Sequence, residues 1–207
     1  MKSVLLAKSN IRKNKGLSIC ILLLIIIASM FICLSFILSN DYSKNGNKEA
    51  KRLNTGNGYL YGFIDCSTID KTYIDNVFDI PEVEEYEYSD ILGFQTPIEF
   101  RGGTVTPIVF FGNSSTFDKE MGKTEILKED TTITENYIYL PYHIHTGGGF
   151  NIGDEYTIAY PNKTYTFKIR GYIHNIDAGS YNMNLYLFVV SDEMYNTILA
   201  DNPETKG

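Results

Sequence analysis

His143 and His145 stand one residue apart. On an extended strand that spacing turns two imidazoles to the same side, as some metal sites require. Their setting argues against a ligand pair. Pro141 precedes them, Gly147-Gly148-Gly149 follows, His174 is the only other histidine, and no acidic neighbour offers a third ligand. The expectation is a turn that carries two exposed imidazoles and no metal. Gly122-Lys123-Thr124 resembles the end of a phosphate-binding loop. The glycine required five residues earlier is Phe117, so the turn that lets backbone N–H groups cradle phosphates is missing. Ser180 after Gly179, with the carboxylates Asp177 and Asp154, lacks a histidine or paired acid at a motif-like spacing. Each reads as a turn residue. The chain is therefore expected not to be an enzyme, with no catalytic residue, metal or cofactor of its own.

The elements around these residues say more, beginning with charge. The 207 residues carry 18 basic and 25 acidic groups, a net charge of −7, with a pI near 5.0 and a mean hydropathy of −0.14. That acidity excludes a general nucleic-acid binder, which needs clustered Lys and Arg to displace phosphate counterions. The average conceals three regimes. Residues 1–16 hold Lys2, Lys8, Arg12, Lys13 and Lys15 and no acid, a charge of +5. Residues 17–40 hold no charge. Residues 41–207 keep 13 basic and all 25 acidic groups, a charge of −12.

Leu17 to Leu38, LSICILLLIIIASMFICLSFIL, is apolar but for serines and cysteines. As a helix its 22 residues span about 33 Å, the hydrocarbon thickness of a bilayer. A cleaved signal peptide has a shorter apolar region and a small-x-small exit, which Phe36-Ile37-Leu38-Ser39-Asn40 lacks. A lipoprotein anchor needs a small residue before its cysteine, and Ile19 and Ile32 precede Cys20 and Cys33. The expectation is a single membrane span in the cell membrane. By the positive-inside rule, the N-terminus is cytoplasmic and residues 41–207 are extracellular. Val4, Ala7 and Ile11 share a helical face beside Lys8, Arg12 and Lys15. This segment either lies on the inner lipid surface or only sets topology.

Four regions follow: a basic cytoplasmic segment (1–16), the transmembrane helix (17–38), a stalk or linker (39–58) with the turn signal Asn45-Gly46, and an extracellular domain (59–207). All 16 tyrosines lie from Tyr42 onward, which suits half-buried pleated surfaces. Strands are predicted at Tyr59–Ile64, Glu82–Phe94, Ile98–Arg101, Thr104–Phe111 and Tyr137–Leu140, and a buried one at Leu185–Val190. Tyr156–Tyr160 and Thr164–Tyr172 flank Pro161-Asn162-Lys163 as a hairpin. A helix is predicted over Ile69–Phe78 from Ile69, Tyr73 and Val77. Another follows Ser191 as N-cap, with Met194, Ile198 and Leu199 as its stripe. The fold class is α+β. Cys66 is the one cysteine outside the span, so the domain has no internal disulfide. Asn113-Ser114-Ser115 and Asn162-Lys163-Thr164 match glycosylation sequons, a pattern that chance often supplies.

One run adds a resemblance. Tyr139-Leu140-Pro141-Tyr142 is followed by Gly147 to Gly149, then Phe150-Asn151-Ile152-Gly153-Asp154-Glu155-Tyr156-Thr157-Ile158, then Phe167-Lys168-Ile169-Arg170-Gly171-Tyr172. With the basic segment and apolar helix before it, this resembles the N-terminal part of FtsX-like permeases, whose outside portion is the MacB-like periplasmic core domain. There the Gly-Asp turn, here Gly153-Asp154, starts a hairpin. The resemblance implies the membrane subunit of an ABC transporter, moved by a separate cytoplasmic ATPase and paired with a second permease half or another copy of itself. The implied work is export or mechanotransmission. Lys8 and Arg12 would then lie near the ATPase contact. The family has three more membrane helices after this domain, and none lies before Gly207, so the chain is expected to be a fragment of a four-helix permease or a single-span derivative. A single-span surface sensor or adhesion module binding a peptide or glycan is the alternative.

Overall fold

The computed structural model describes residues 15–56, 71–100, 102–160, 163–176, 178 and 184–206. It is a mixed α+β structure with an N-terminal apolar helix and divides into two compact units, Met1–Lys48 and Glu49–Gly207.

Helix α1 runs over Lys15–Arg52. It is the one helix among the described residues long and apolar enough to cross a membrane, and none of its most apolar stretch is buried inside the protein. Residues 39–52, read as a stalk or linker, are helical. Asn45-Gly46 does not interrupt them, since glycine inside a helix costs only about 1 kcal/mol against alanine. The helix ends by a local device. Asn54 takes the left-handed conformation (φ 50°). The N–H of Thr55 donates to the carbonyl of Ala50 (2.9 Å) and that of Asn54 to Lys51 (3.4 Å). These crossed bonds satisfy carbonyls that the helix leaves open, as in a Schellman cap.

The second unit is built on a mixed sheet. Its strands are β1 (Leu92–Gln95), β4 (Ile108–Gly112), β5 (Glu125–Glu129), β6 (Tyr137–Pro141), β7 (Glu155–Tyr160), β8 (Lys163–His174) and β9 (Leu185–Val190), in the order β1-β4-β9-β6-β8-β5, with β7 also on β8. β2 (Ile98–Phe100) and β3 (Gly103–Val105) form a separate hairpin. β4 with β9 and β6 with β8 are parallel, and the other pairs are antiparallel.

Alternation sorts the core onto two faces. Tyr186, Phe188 and Val190 of β9 join Val109, Phe111, Ile138, Leu140 and Phe167 in the larger cluster. Leu187 and Val189 join Phe110, Tyr139 and Ile173 in the other. A strand buried on both faces reads as a continuous apolar run, as Leu185–Val190 does. The larger cluster is closed by α3 (Tyr142–Gly148), which buries Ile144, and α4 (Asp192–Asp201), which buries Tyr195 and Ile198. Ser191 caps α4 by accepting from the N–H of Met194 (3.3 Å).

Several expectations need correction. Of Glu82–Phe94 only Leu92 onward is strand. Glu82, Glu84, Glu85 and Glu87 are exposed, and carboxylates are poor strand formers without opposite-charge partners. Thr104–Phe111 is two strands broken at Thr106-Pro107, because proline has no N–H for a ladder. The helix α2 (Lys71–Phe78) forms, but Tyr73 and Val77 of its apolar stripe face outward. β5 and α3 have no counterpart among the predicted elements. The predicted strand Tyr59–Ile64 lies outside the described residues, as does Cys66.

Candidate functional site

The two histidines do not converge. They stand on α3, where an i, i+2 pair diverges around the helix. Both rings are half-buried rather than exposed. That of His143 lies 5.9 Å from Phe100 and 4.7 Å from Tyr186. His145 stacks on Tyr172 at 4.5 Å. Its Nδ1 carries the proton and donates to the Phe150 carbonyl (2.6 Å), an oxygen that can only accept. Among the described residues no group of three His, Cys, Asp or Glu could hold a metal ion. The Gly122-Lys123 amides, which a phosphate loop would leave open, are occupied: Gly122 donates to the Asn54 carbonyl (3.0 Å) and Lys123 to that of Leu53 (2.9 Å). Thr124 Oγ1 accepts from Asn175 Nδ2 at 2.9 Å. Asp177, Ser180, Lys8 and Arg12 lie outside the described residues.

The 150s turn is built as its residue types dictate. α3 ends at Gly149 (φ 77°), whose N–H donates to the His145 carbonyl. The chain then turns over Asn151–Asp154, with the N–H of Asp154 donating to Asn151 O (3.1 Å). The Asp154 carboxylate accepts in return from the N–H of Asn151 (2.7 Å). Gly153 has φ 93°, a region closed to most side chains. Its N–H donates to Ile169 O (2.8 Å), and the N–H of Ile169 donates to Asp154 O (2.9 Å). The turn thus starts β7 and sets its register on β8. Asp154 is a turn residue whose carboxylate is engaged by the Asn151 N–H of the same turn.

Two surfaces were not among the predicted sites. At the end of α1, Arg52 pairs with Glu49 (2.7 Å) and with Glu125 of β5. Leu53, fully buried, follows directly. The other surface is a groove of about 620 Å³ between α2 and residues 83–86. Phe78 and Tyr86 stack at 4.9 Å, and the Tyr86 hydroxyl donates to Asp75. This contact holds the extended segment against the helix. The groove is lined by Asp75, Asp79, Glu84 and Glu85 together with Phe78 and Val83. Beside it Tyr73, Val77 and Ile80 are 58%, 42% and 47% exposed. The sequence carries the signal in Lys71 to Asp90, which holds seven carboxylates and a single lysine.

No family model, curated protein or solved structure matches this chain. Among the described residues the surface carries an acidic groove and an ion-paired helix end.

Proposed function

We propose that this chain is the N-terminal part of the membrane subunit of an ABC transporter of the FtsX-like kind, its outside portion corresponding to a MacB-like periplasmic core domain. The observation that carries the reading is the Asn151–Asp154 turn, with Gly153 at positive φ and hydrogen bonds that open the β7–β8 hairpin. The apolar helix after a basic segment supports it. In this reading residues 1–16, with Lys8 and Arg12, face the cytoplasm and meet a separate ATPase. The span passes motion to residues 41–207 outside the cell, and the subunit works beside a second permease half or copy.

The test is recovery of the ATPase. The tagged full chain, purified in mild detergent from cross-linked native membranes, is expected to bring an ABC ATPase, and the Lys8→Glu, Arg12→Glu double variant to bring much less. Intact chain without ATPase, or equal recovery with the double variant, would overturn the reading. Orientation is checked at Cys66, which an impermeant thiol reagent is expected to label on intact cells.

A second reading, a single-span surface sensor or adhesion module that binds a peptide or glycan, is favoured by the exposed Val77 and Ile80 beside the acidic groove.

A further inference from the structure

We propose that a different cleft, walled by α4, the turn Ser114–Phe117 and residues 87–90, binds a short neutral oligosaccharide through the buried hydroxyl of Tyr195 and the exposed side chains of Asn196 and Asp118. The cleft holds about 590 Å³, a volume within the range of ordinary small-ligand sites. Tyr195 lines it while only 5% exposed. The hydroxyl is buried, has no hydrogen-bond partner among the described residues, and feels the charge of Asp90, another residue of the same wall. A buried hydroxyl left unpaired lowers stability and is uncommon in a folded protein. A ligand oxygen seated over Tyr195 supplies the missing bond.

The rest of the wall selects the ligand. Three carboxylates, Glu87, Asp90 and Asp118, stand with two lysines, Lys119 and Lys206, so the cleft offers little net charge to an ion of either sign. Two of those carboxylates are already engaged. Glu87 accepts the N–H of Met121 (2.7 Å), and Asp90 pairs with Lys206 (3.2 Å). Leu199 is the one aliphatic residue of the lining, too little apolar wall to seat an amphipathic peptide helix. Hydroxyl, amide and carboxylate remain: the phenol and the Asn196 amide each donate and accept, and the Asp118 carboxylate accepts. Neighbouring hydroxyls of a sugar ring also donate and accept at once, which matches this set. The inference gives the second reading its site and its ligand class and rests on that reading. The permease reading stands or falls apart from it.

The experiment uses the full chain in phosphatidylcholine nanodiscs with three probes, maltotriose, cellotriose and triacetylchitotriose, titrated by saturation-transfer NMR with empty nanodiscs subtracted. At least one probe is expected to bind saturably, with an affinity that added salt leaves unchanged because the ligand carries no charge. Tyr195→Phe should weaken that binding about fivefold, as loss of one neutral hydrogen bond does, without lowering the unfolding temperature. Asn196→Ala and Asp118→Asn alter exposed positions, keep the fold, and should each weaken binding by about three- to tenfold. If none of the three sugars binds, the proposal fails and the second reading keeps only its peptide form. Wild-type affinity in all three variants would place the sugar elsewhere, so that the second reading survives and this site does not. A Tyr195→Phe chain that unfolds at a lower temperature would show the hydroxyl bonded within the protein, and that too would overturn the site.

Discussion

The carbonyl oxygen of Leu53, the first residue past α1, accepts the N–H of Lys123, 70 residues further along the chain, at 2.9 Å. With Asn54 taking the Gly122 N–H, the end of the helix is bound to the loop that leads into β5. Burial of the Leu53 side chain, more than the exposed Arg52 pairs, holds this contact. Leu53→Ala is expected to cost about 2–4 kcal/mol, and Arg52→Ala less than about 1 kcal/mol. Hydrogen exchange at the Gly122 and Lys123 amides separates the two: protection falls in the first variant and persists in the second.

Gly171 admits no side chain. β8 shifts register against β6 just before it, where Arg170 is the extra residue, and an added Cβ would collide with the Lys128 carbonyl oxygen and stand 2.9 Å from the Tyr139 ring. Gly171→Ala is therefore expected to destabilise by about 1–3 kcal/mol, since one neighbour is backbone. Gly153→Ala is strained for a different reason, its φ of 93° with open space around the Cβ, and should cost about 1–2 kcal/mol. Chemical denaturation of the two variants measures both losses. A Gly171→Ala protein as stable as the parent would contradict the packing described.

Asp201, at the end of α4, accepts from Lys163 Nζ (2.6 Å) and from the Tyr165 hydroxyl (3.1 Å), which joins the helix to the β7–β8 hairpin. The hydrogen bond from Lys163 holds the Asp201 carboxyl below its usual 3.8, and the bond to Asp201 raises Lys163 above 10.5. A depressed carboxylate stabilises above its unfolded pKa and loses that contribution as pH falls through the folded value. A raised lysine stabilises below its unfolded pKa and loses it as pH rises through its own folded value. The pair is thus at full strength between about 4 and 10. In Lys163→Met, the Asp201 titration followed by carboxyl NMR should move up toward 3.8. An unmoved titration would show that the bond from Tyr165 alone sets it.

Tyr195 is 5% exposed, and its hydroxyl has no hydrogen-bond partner among the described residues. Burial, with Asp90 nearby, pushes its pKa up to about 12. Removing an unsatisfied buried hydroxyl relieves its desolvation, so Tyr195→Phe should leave stability unchanged or raise it by up to about 1 kcal/mol. Thermal unfolding decides; a marked loss would mean that the hydroxyl is bonded in solution.

Where one physical signal dominated, the sequence was readable. The apolar run within α1, the β7–β8 hairpin, β9 and the Ser191 cap follow from hydrophobic length, turn chemistry, double burial and a side-chain acceptor. β5 was hidden because Glu125-Ile126-Leu127-Lys128-Glu129 does not alternate and leaves Ile126 and Leu127 exposed at a sheet edge. α3 was hidden because histidine and glycine are weak helix formers. Its stability comes from Ile144 and from rings of other elements, which no local pattern encodes. At the candidate site, the Gly153-Asp154 turn was legible in two residues. The groove was not, because it depends on Tyr86 returning to stack on Phe78.

The double burial of β9 has a consequence for how this sequence can change over generations. Five of its six residues are buried, Tyr186 to Val190, between parallel β4 and antiparallel β6. A charge at any of the five would enter the core from one face or the other. Exposed positions such as Glu82, Glu84 and Glu85 can exchange residues freely by comparison. A distant relative, drifted past recognition elsewhere, would still be expected to keep this short apolar run with a helix-capping residue after it.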